Sequence, residues 1–349
     1  MPHSPIDYDR RVLVRWILIL NGLILCMVII GGITRLTDSG LSMVNWSLFM
    51  GSIPPTSEAD WAETFAAYQG HPEYLILRPN MDIEAFKRIF FWEYLHRMWG
   101  RLIGLVWLVP YVYFLVRKTM RNLAGPLAVT GVLILLQGLL GWYMVKSGLV
   151  DKPYVSHYRL AAHLGLAFFV FCYNTWWMAR LLPHEERRMF DAAERHFVWM
   201  LKGLLALLCL QILYGAFVAG MDAGQVSNTF PKMLGAWVPP GMLQMQPAWK
   251  NLLENSTTIH FTHRVLGTVL LAFSLVVWFM AQRRRLSHRQ KLGLNGIFLS
   301  ITLQWLLGVA TVITDVSIPL ALLHQANACL LLGCFVFTLQ SMRPVKQIA

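Results

Sequence analysis

Glu93-Tyr94-Leu95-His96-Arg97-Met98-Trp99-Gly100-Arg101-Leu102-Ile103-Gly104 opens a long apolar run, and a weaker copy opens another far downstream as His260-Phe261-Thr262-His263-Arg264-Val265-Leu266-Gly267. Both read His-Arg-x-x-Gly. Each is followed by a second histidine inside an apolar run, His163 lying 67 residues after His96 and His324 lying 61 after His263. One His-Arg pair at a helix start means little. Two copies with matched second histidines point to a duplicated helical unit that holds flat metal cofactors.

The rest of the chain supplies the setting. Of its 349 residues 56% are hydrophobic and only 14% charged, with a mean hydropathy of +0.50. Soluble domains carry roughly 25% charged residues, so this composition belongs to a membrane protein. Eight apolar runs are long enough for a helical span, which takes about 20 residues. They cover 12–34, 89–116, 124–146, 158–180, 197–219, 258–281, 292–313 and 319–341. The runs are continuously apolar rather than alternating, which favours helices over a barrel.

A net charge of +12 could suggest nucleic acid, but the placement of the basic residues argues otherwise. Arg10, Arg11 and Arg15 lie before or at the start of the first run, and Arg117, Lys118 and Arg121 separate the second and third. Arg187, Arg188 and Arg195 separate the fourth and fifth, and Arg283, Arg284, Arg285, Arg289 and Lys291 the sixth and seventh. Arg343 and Lys346 follow the last. All of these fall on one side of an eight-span arrangement, so the positive-inside rule puts both termini in the cytoplasm. The first run is too long for a signal-peptide core, and no Arg/Ser-rich transit segment precedes it. A bacterial inner membrane is the expected location, and a mitochondrial inner membrane is compatible with the same features. Cys26, Cys172, Cys209, Cys329 and Cys334 all lie in apolar runs, where they read as packing residues.

Between runs one and two, Pro54-Pro55 and Ser57-Glu58-Ala59-Asp60-Trp61 read as the start of a short helix. Trp61, Phe65 and Tyr68 would form its apolar stripe, which is expected to lie on the membrane surface. The two halves then repeat feature by feature. Asp38-Ser39-Gly40 matches Asp222-Ala223-Gly224, Gln137 matches Gln304, and His163 matches His324. Each half has four spans and so enters from the same side. Residues 1–185 and 186–349 should therefore be two four-helix bundles related by a pseudo-twofold axis along the membrane normal.

Span orientation brings His96, His163, His263 and His324 to one depth, in the outer leaflet. Two neutral imidazoles from facing helices suit the axial positions of a haem iron. Zinc usually takes three or four N, S or O ligands, and few carboxylates or cysteines stand near these histidines. Arg97, Arg159 and Arg264 lie near the outer surface, where guanidinium groups would meet haem propionates. Arg35 lies at the outer boundary too, either paired with an anion or snorkelling to the interface. His157, two turns before His163, could be a gate or a supporting group.

One position breaks the repeat. Glu93 precedes His96 by three residues, whereas His260 stands in the matching place before His263. A carboxylate at the membrane edge beside a metal ligand is costly unless used. It could accept a proton, or simply pair with Arg97 or Arg101. The asymmetry assigns chemistry to the first half and a resident redox cofactor to the second.

These residues resemble the haem A synthase family across nearly the whole chain. The resemblance rests on residues 31–42 (Gly31-Gly32-Ile33-Thr34-Arg35-Leu36-Thr37-Asp38-Ser39-Gly40-Leu41-Ser42) and on Phe86-Lys87-Arg88-Ile89-Phe90-Phe91-Trp92-Glu93-Tyr94-Leu95-His96-Arg97. It continues in Arg159-Leu160-Ala161-Ala162-His163-Leu164-Gly165, Asn228-Thr229-Phe230-Pro231, His263-Arg264-Val265-Leu266-Gly267 and His324-Gln325-Ala326-Asn327. The chain is similar to the mitochondrial and proteobacterial branch and lacks the outer-loop cysteine pairs of other bacterial members. The resemblance implies an eight-helix enzyme for terminal oxidase assembly that oxidises the C8 methyl of haem O to a formyl group by successive hydroxylations. Carried over by position, it implies that His96 and His163 flank the substrate haem, with Glu93 near the reacting methyl. His263 and His324 would hold haem b. It also implies haem O synthase and an electron donor as partners. A two-haem cytochrome b acting on quinone, or a non-enzymatic haem carrier, would share the paired histidines. The apolar outer surfaces are open to lipid or to a second copy of the chain.

Overall fold

The computed structural model describes residues 5–44, 53–117, 121–150, 154–182 and 192–342. The expected boundary at 185/186, together with Lys118, Arg187, Arg188, Arg343 and Lys346, lies outside them. Among the described residues the chain is helical: α1 Pro5–Leu36, α2 Glu58–Gln69, α3 Ile83–Arg117, α4 Arg121–Val150, α5 His157–Leu181, α6 Ala192–Gly220, α7 Asn251–Glu254, α8 Ser256–Gln282, α9 His288–Ile313 and α10 Ile318–Ser341. One isolated β-bridge, Met233 with Ala236, is the extended pairing found there.

Among the described residues seven helices are long and apolar enough to cross a membrane: α1, α3, α4, α6, α8, α9 and α10. The eighth expected span is also a helix, α5, of 25 residues. His163, Asn174 and Thr175 interrupt its apolar run. The helices outrun the apolar stretches, because charged residues at a span's ends remain helical once they reach the headgroups. α3 is the extreme, with 35 residues. At 1.5 Å per residue it exceeds the roughly 30 Å hydrocarbon core, so several turns stand clear of the lipid.

The chain divides into two compact units, Met1–Asp9 with Leu18–Val170, and Arg10–Ile17 with Phe171–Ala349. Within the first, α3 packs on α4 and on α2. Indole N–H groups tie the helices together: Trp99 Nε1 donates to the Leu23 carbonyl at 2.9 Å and Trp107 Nε1 to the Leu127 carbonyl at 3.0 Å. In lipid such bonds matter because packing apolar side chains gains nothing over contact with lipid tails. Within the second, α9 packs on α10 and α8, and α6 on α8 and α10, which closes a ring of four helices.

Between α1 and α3, α2 is capped by Ser57, whose side chain accepts from Asp60 N while Asp60 reaches back to the cap, a capping box. The expected stripe on α2 forms, and it packs against α3. Trp61, Phe65 and Tyr68 pack on Phe86 and Phe90 in the first turns of α3, with ring centroids 5.1 Å apart for Trp61–Phe90, Phe65–Phe86 and Tyr68–Phe86. Tyr68 is fully buried. The turns of α3 that outreach the bilayer thus find an aromatic partner in place of lipid.

Candidate haem site

Glu93 is buried and held from two sides. Its Oε2 accepts from Ser42 Oγ at 2.7 Å and from the Met43 amide at 2.8 Å. Its Oε1 accepts from Arg97 Nε at 3.1 Å and from a terminal nitrogen of Arg97 at 2.5 Å. Arg97 also donates to the Met43 carbonyl at 3.0 Å. The carboxylate therefore fastens the segment after α1 to the third and fourth turns of α3.

The second unit repeats this joint with an imidazole in place of the carboxylate. Arg264 Nε donates to His260 Nε2 at 3.0 Å, and its terminal nitrogens donate to the carbonyls of Thr229 at 2.6 Å and Ser227 at 2.8 Å. Even the backbone repeats: Asp38 and Asp222 both adopt left-handed φ, 48° and 49°, which aspartate tolerates better than most residues. Three arginines assigned to propionates at the sequence level are thus engaged with the protein itself. Arg97 and Arg264 hold outer-segment carbonyls, and Arg159 donates to the Tyr143 carbonyl at 2.7 Å while lying 3.8 Å above the Tyr143 ring. Arg35 occupies the last turn of α1. His157 opens α5 with its ring against Tyr158.

All four histidines sit against a glycine of a neighbouring helix. A Cβ on Gly31 would come within 3.2 Å of the His96 ring, and on Gly141, Gly215 or Gly308 within 3.0 Å of His163, His263 or His324. Any larger residue would displace the imidazole. Glutamine amides then fix the backbone. Gln137 Nε2 donates to the His163 carbonyl at 3.0 Å, Gln211 to that of His263 at 3.0 Å, and Gln304 to that of His324 at 2.9 Å. Asn327 orients Gln304 by donating to its Oε1 at 2.7 Å.

These residues fit a haem. Metal–imidazole bonds are about 2 Å long, so two rings ligating one ion from opposite sides have centres roughly 6 Å apart. The His263 and His324 centroids are 6.4 Å apart, and each ring has a buried Nδ1 with no hydrogen-bond partner in the protein. Among the described residues no group of three or more His, Cys, Asp or Glu is placed to hold a metal. The donor set is therefore a pair, as a porphyrin-bound iron needs. In the first unit the His96 and His163 rings rest on Gly31 and Gly141 in the same manner.

A family model described as COX15-CtaA, cytochrome oxidase assembly protein, matches residues 14–336. The chain belongs to the COX15-CtaA family. It is 42% identical to the heme A synthase of Nitrosomonas eutropha, over 90% of this chain and 89% of that protein. It is 44% identical to the heme A synthase of Rhodospirillum centenum, over 94% and 88%. The human heme A synthase COX15 is 41% identical, over 98% and 85%.

Sequence reasoning missed two features of this COX15-CtaA chain. Gln211 looked like one polar residue in an apolar run, yet Gln-x-x-x-Gly recurs at Gln137, Gln211 and Gln304, and that recurrence was the available signal. The second is Glu73, in a π-helical turn outside the spans and buried to 3% exposure. Burial pushes its carboxyl up to about 7, with partial opposition from Arg78. Beside it, burial raises the Tyr68 hydroxyl as well. No periodicity marks such a residue.

Proposed function

We propose that this chain is a haem A synthase, a multi-pass membrane oxidoreductase that converts the C8 methyl of haem O to a formyl group for cytochrome oxidase assembly. The observation that carries this reading is a pair of matched histidine sites with only one armed by a carboxylate, in a chain of this family. His263 and His324 hold haem b as a resident cofactor, and His96 and His163 hold haem O as substrate. Haem b supplies single-electron chemistry. The protein positions both groups, with glycine faces setting the depth of each imidazole and, at His163, His263 and His324, glutamines setting its height along the helix.

Glu93 lies one turn from His96 and is the nearest acid to the first site on its helix. Its hydrogen bonds to Ser42 and Met43 couple it to the outer segment, so a proton it takes up can leave toward the outer surface. The eight-span topology with cytoplasmic termini and pseudo-twofold halves belongs to the same proposal, as do haem O synthase and an electron donor as partners.

The test is pigment identity. Protein purified from membranes that make haem O should yield, on extraction and mass analysis, haem b together with haem O, its hydroxylated form or haem A. Two equivalents of haem b and nothing else would make the chain an electron-transfer cytochrome. Haem O bound but never oxidised would make it a carrier. His263→Ala and His324→Ala should each lose haem b.

A further inference from the structure

The four histidines share a glycine face, and three of the four share a glutamine tether. Each glycine that faces a histidine is preceded, four residues earlier, by the residue that reaches the histidine's backbone: Gln137 before Gly141, Gln211 before Gly215 and Gln304 before Gly308. At the fourth site Gly31 faces His96, and the residue four earlier is Met27. The substitution is local and the packing is otherwise kept. A Cβ on Gly267, four residues after His263, would meet Gln211 Nε2 at 3.1 Å, and one on Gly100, four residues after His96, would meet Met27 Cε at 3.4 Å. Met27 therefore fills the place of Gln211 and brings a methyl group where Gln211 brings an amide. A thioether donates no hydrogen bond.

We propose that Met27 is a positioning residue that makes His96 the exchangeable ligand of the first site. This rests on the reading of His96 and His163 as the substrate-haem ligands. The other three histidines are tethered across a helix interface by a glutamine, while among the described residues no side-chain amide reaches His96, whose ring packs on Gly31. A product that must leave needs one ligand able to withdraw, and a resident cofactor needs none. The distribution of glutamines follows that requirement: both histidines of the second site have one, and one histidine of the first site does not.

The test is the rate at which haem passes from the purified holoprotein to excess apomyoglobin, with the pigment remaining on the protein identified by mass over time. Interhelical hydrogen bonds in membranes are worth enough to slow an opening step roughly three- to thirty-fold. Met27→Gln should slow loss of haem O or haem A by that factor and leave haem b loss unchanged, while Met27→Leu should release at the parental rate. Gln211→Met, the converse change, should speed loss of haem b by a similar factor. Parental release from Met27→Gln, or equal slowing in Met27→Leu, would overturn the proposal. If Met27→Gln does not fold, unchanged haem b loss from Gln211→Met overturns it instead. A parent protein with no haem other than haem b would refute the substrate-site reading itself, a separate result.

Discussion

Glu93 and Arg97 share a buried ion pair, and removing one partner of such a pair costs about 3 kcal/mol or more. Glu93→Gln is expected to lower the thermal midpoint, retain haem b and stop haem A accumulation. The double variant Glu93→Gln/Arg97→Gln separates the two effects. It should regain stability without regaining product if the carboxylate acts on the substrate, and regain both if the acid only ties down the outer segment. Glu73 gives a pH prediction. Its folded-state carboxyl sits at about 7 against an ordinary value of 4.5, so the folded protein binds more protons than the unfolded chain in that window. Stability should therefore fall as pH rises from 4.5 to 7 and level off above. Glu73→Gln should flatten that slope, and amide exchange along α2 at pH 6 and pH 8 would show it. Of these residues Glu93 was legible from its place beside His96 and from its mismatch with His260. Glu73 was not, because nothing local in Glu73-Tyr74-Leu75 distinguishes a buried carboxylate from a solvated one.

Helix pairs carry the sites, and their geometry was only half legible. Apolar runs located the helices, and the histidine spacing paired α3 with α5 and α8 with α10. Which face each helix turns inward came from glycines and glutamines that apolar periodicity does not weigh. Gly308→Ala would put a Cβ 3.0 Å from the His324 ring. It should cut haem b content several-fold and shift the reduced absorption band, while Gly296→Ala on the same helix, with open space around it, should do neither. Unaltered haem b in Gly308→Ala would show that the ring can move aside. The aromatic stripe on α2 was legible as a stripe, whereas its partners on α3 were not. α3 reaches beyond the bilayer and offers Phe86 and Phe90 as a better partner. At α8, Asn255 caps the helix by accepting from Thr258 N at 3.0 Å and also donates to the Gly241 carbonyl at 2.9 Å. Asn255→Ala should cost about 1–2 kcal/mol and speed amide exchange around Thr258, which thermal unfolding and exchange would report.

Across the whole molecule the class of fold and the family were readable early, because a duplicated motif and an apolar composition survive in any single sequence. Topology remains the part to be measured. A fluorescent protein fused after Ala349 should fold and emit in the cytoplasm, and alkaline phosphatase inserted after Pro239 should be active outside it; the opposite pair of results would invert the proposed orientation. The two outer segments differ widely in structure, one built on α2 and a π-helical turn and the other on 3-10 turns and a β-bridge. Yet both are bolted down by an arginine that grips main-chain carbonyls at Met43, Ser227 and Thr229. Every amino acid offers the same carbonyl. A saturation library should therefore tolerate almost nothing at Arg97 or Arg264 and many side chains opposite them, with proline at position 43 refused because Glu93 needs that amide. Evolution could in this way remodel everything above the membrane while leaving two bolts untouched.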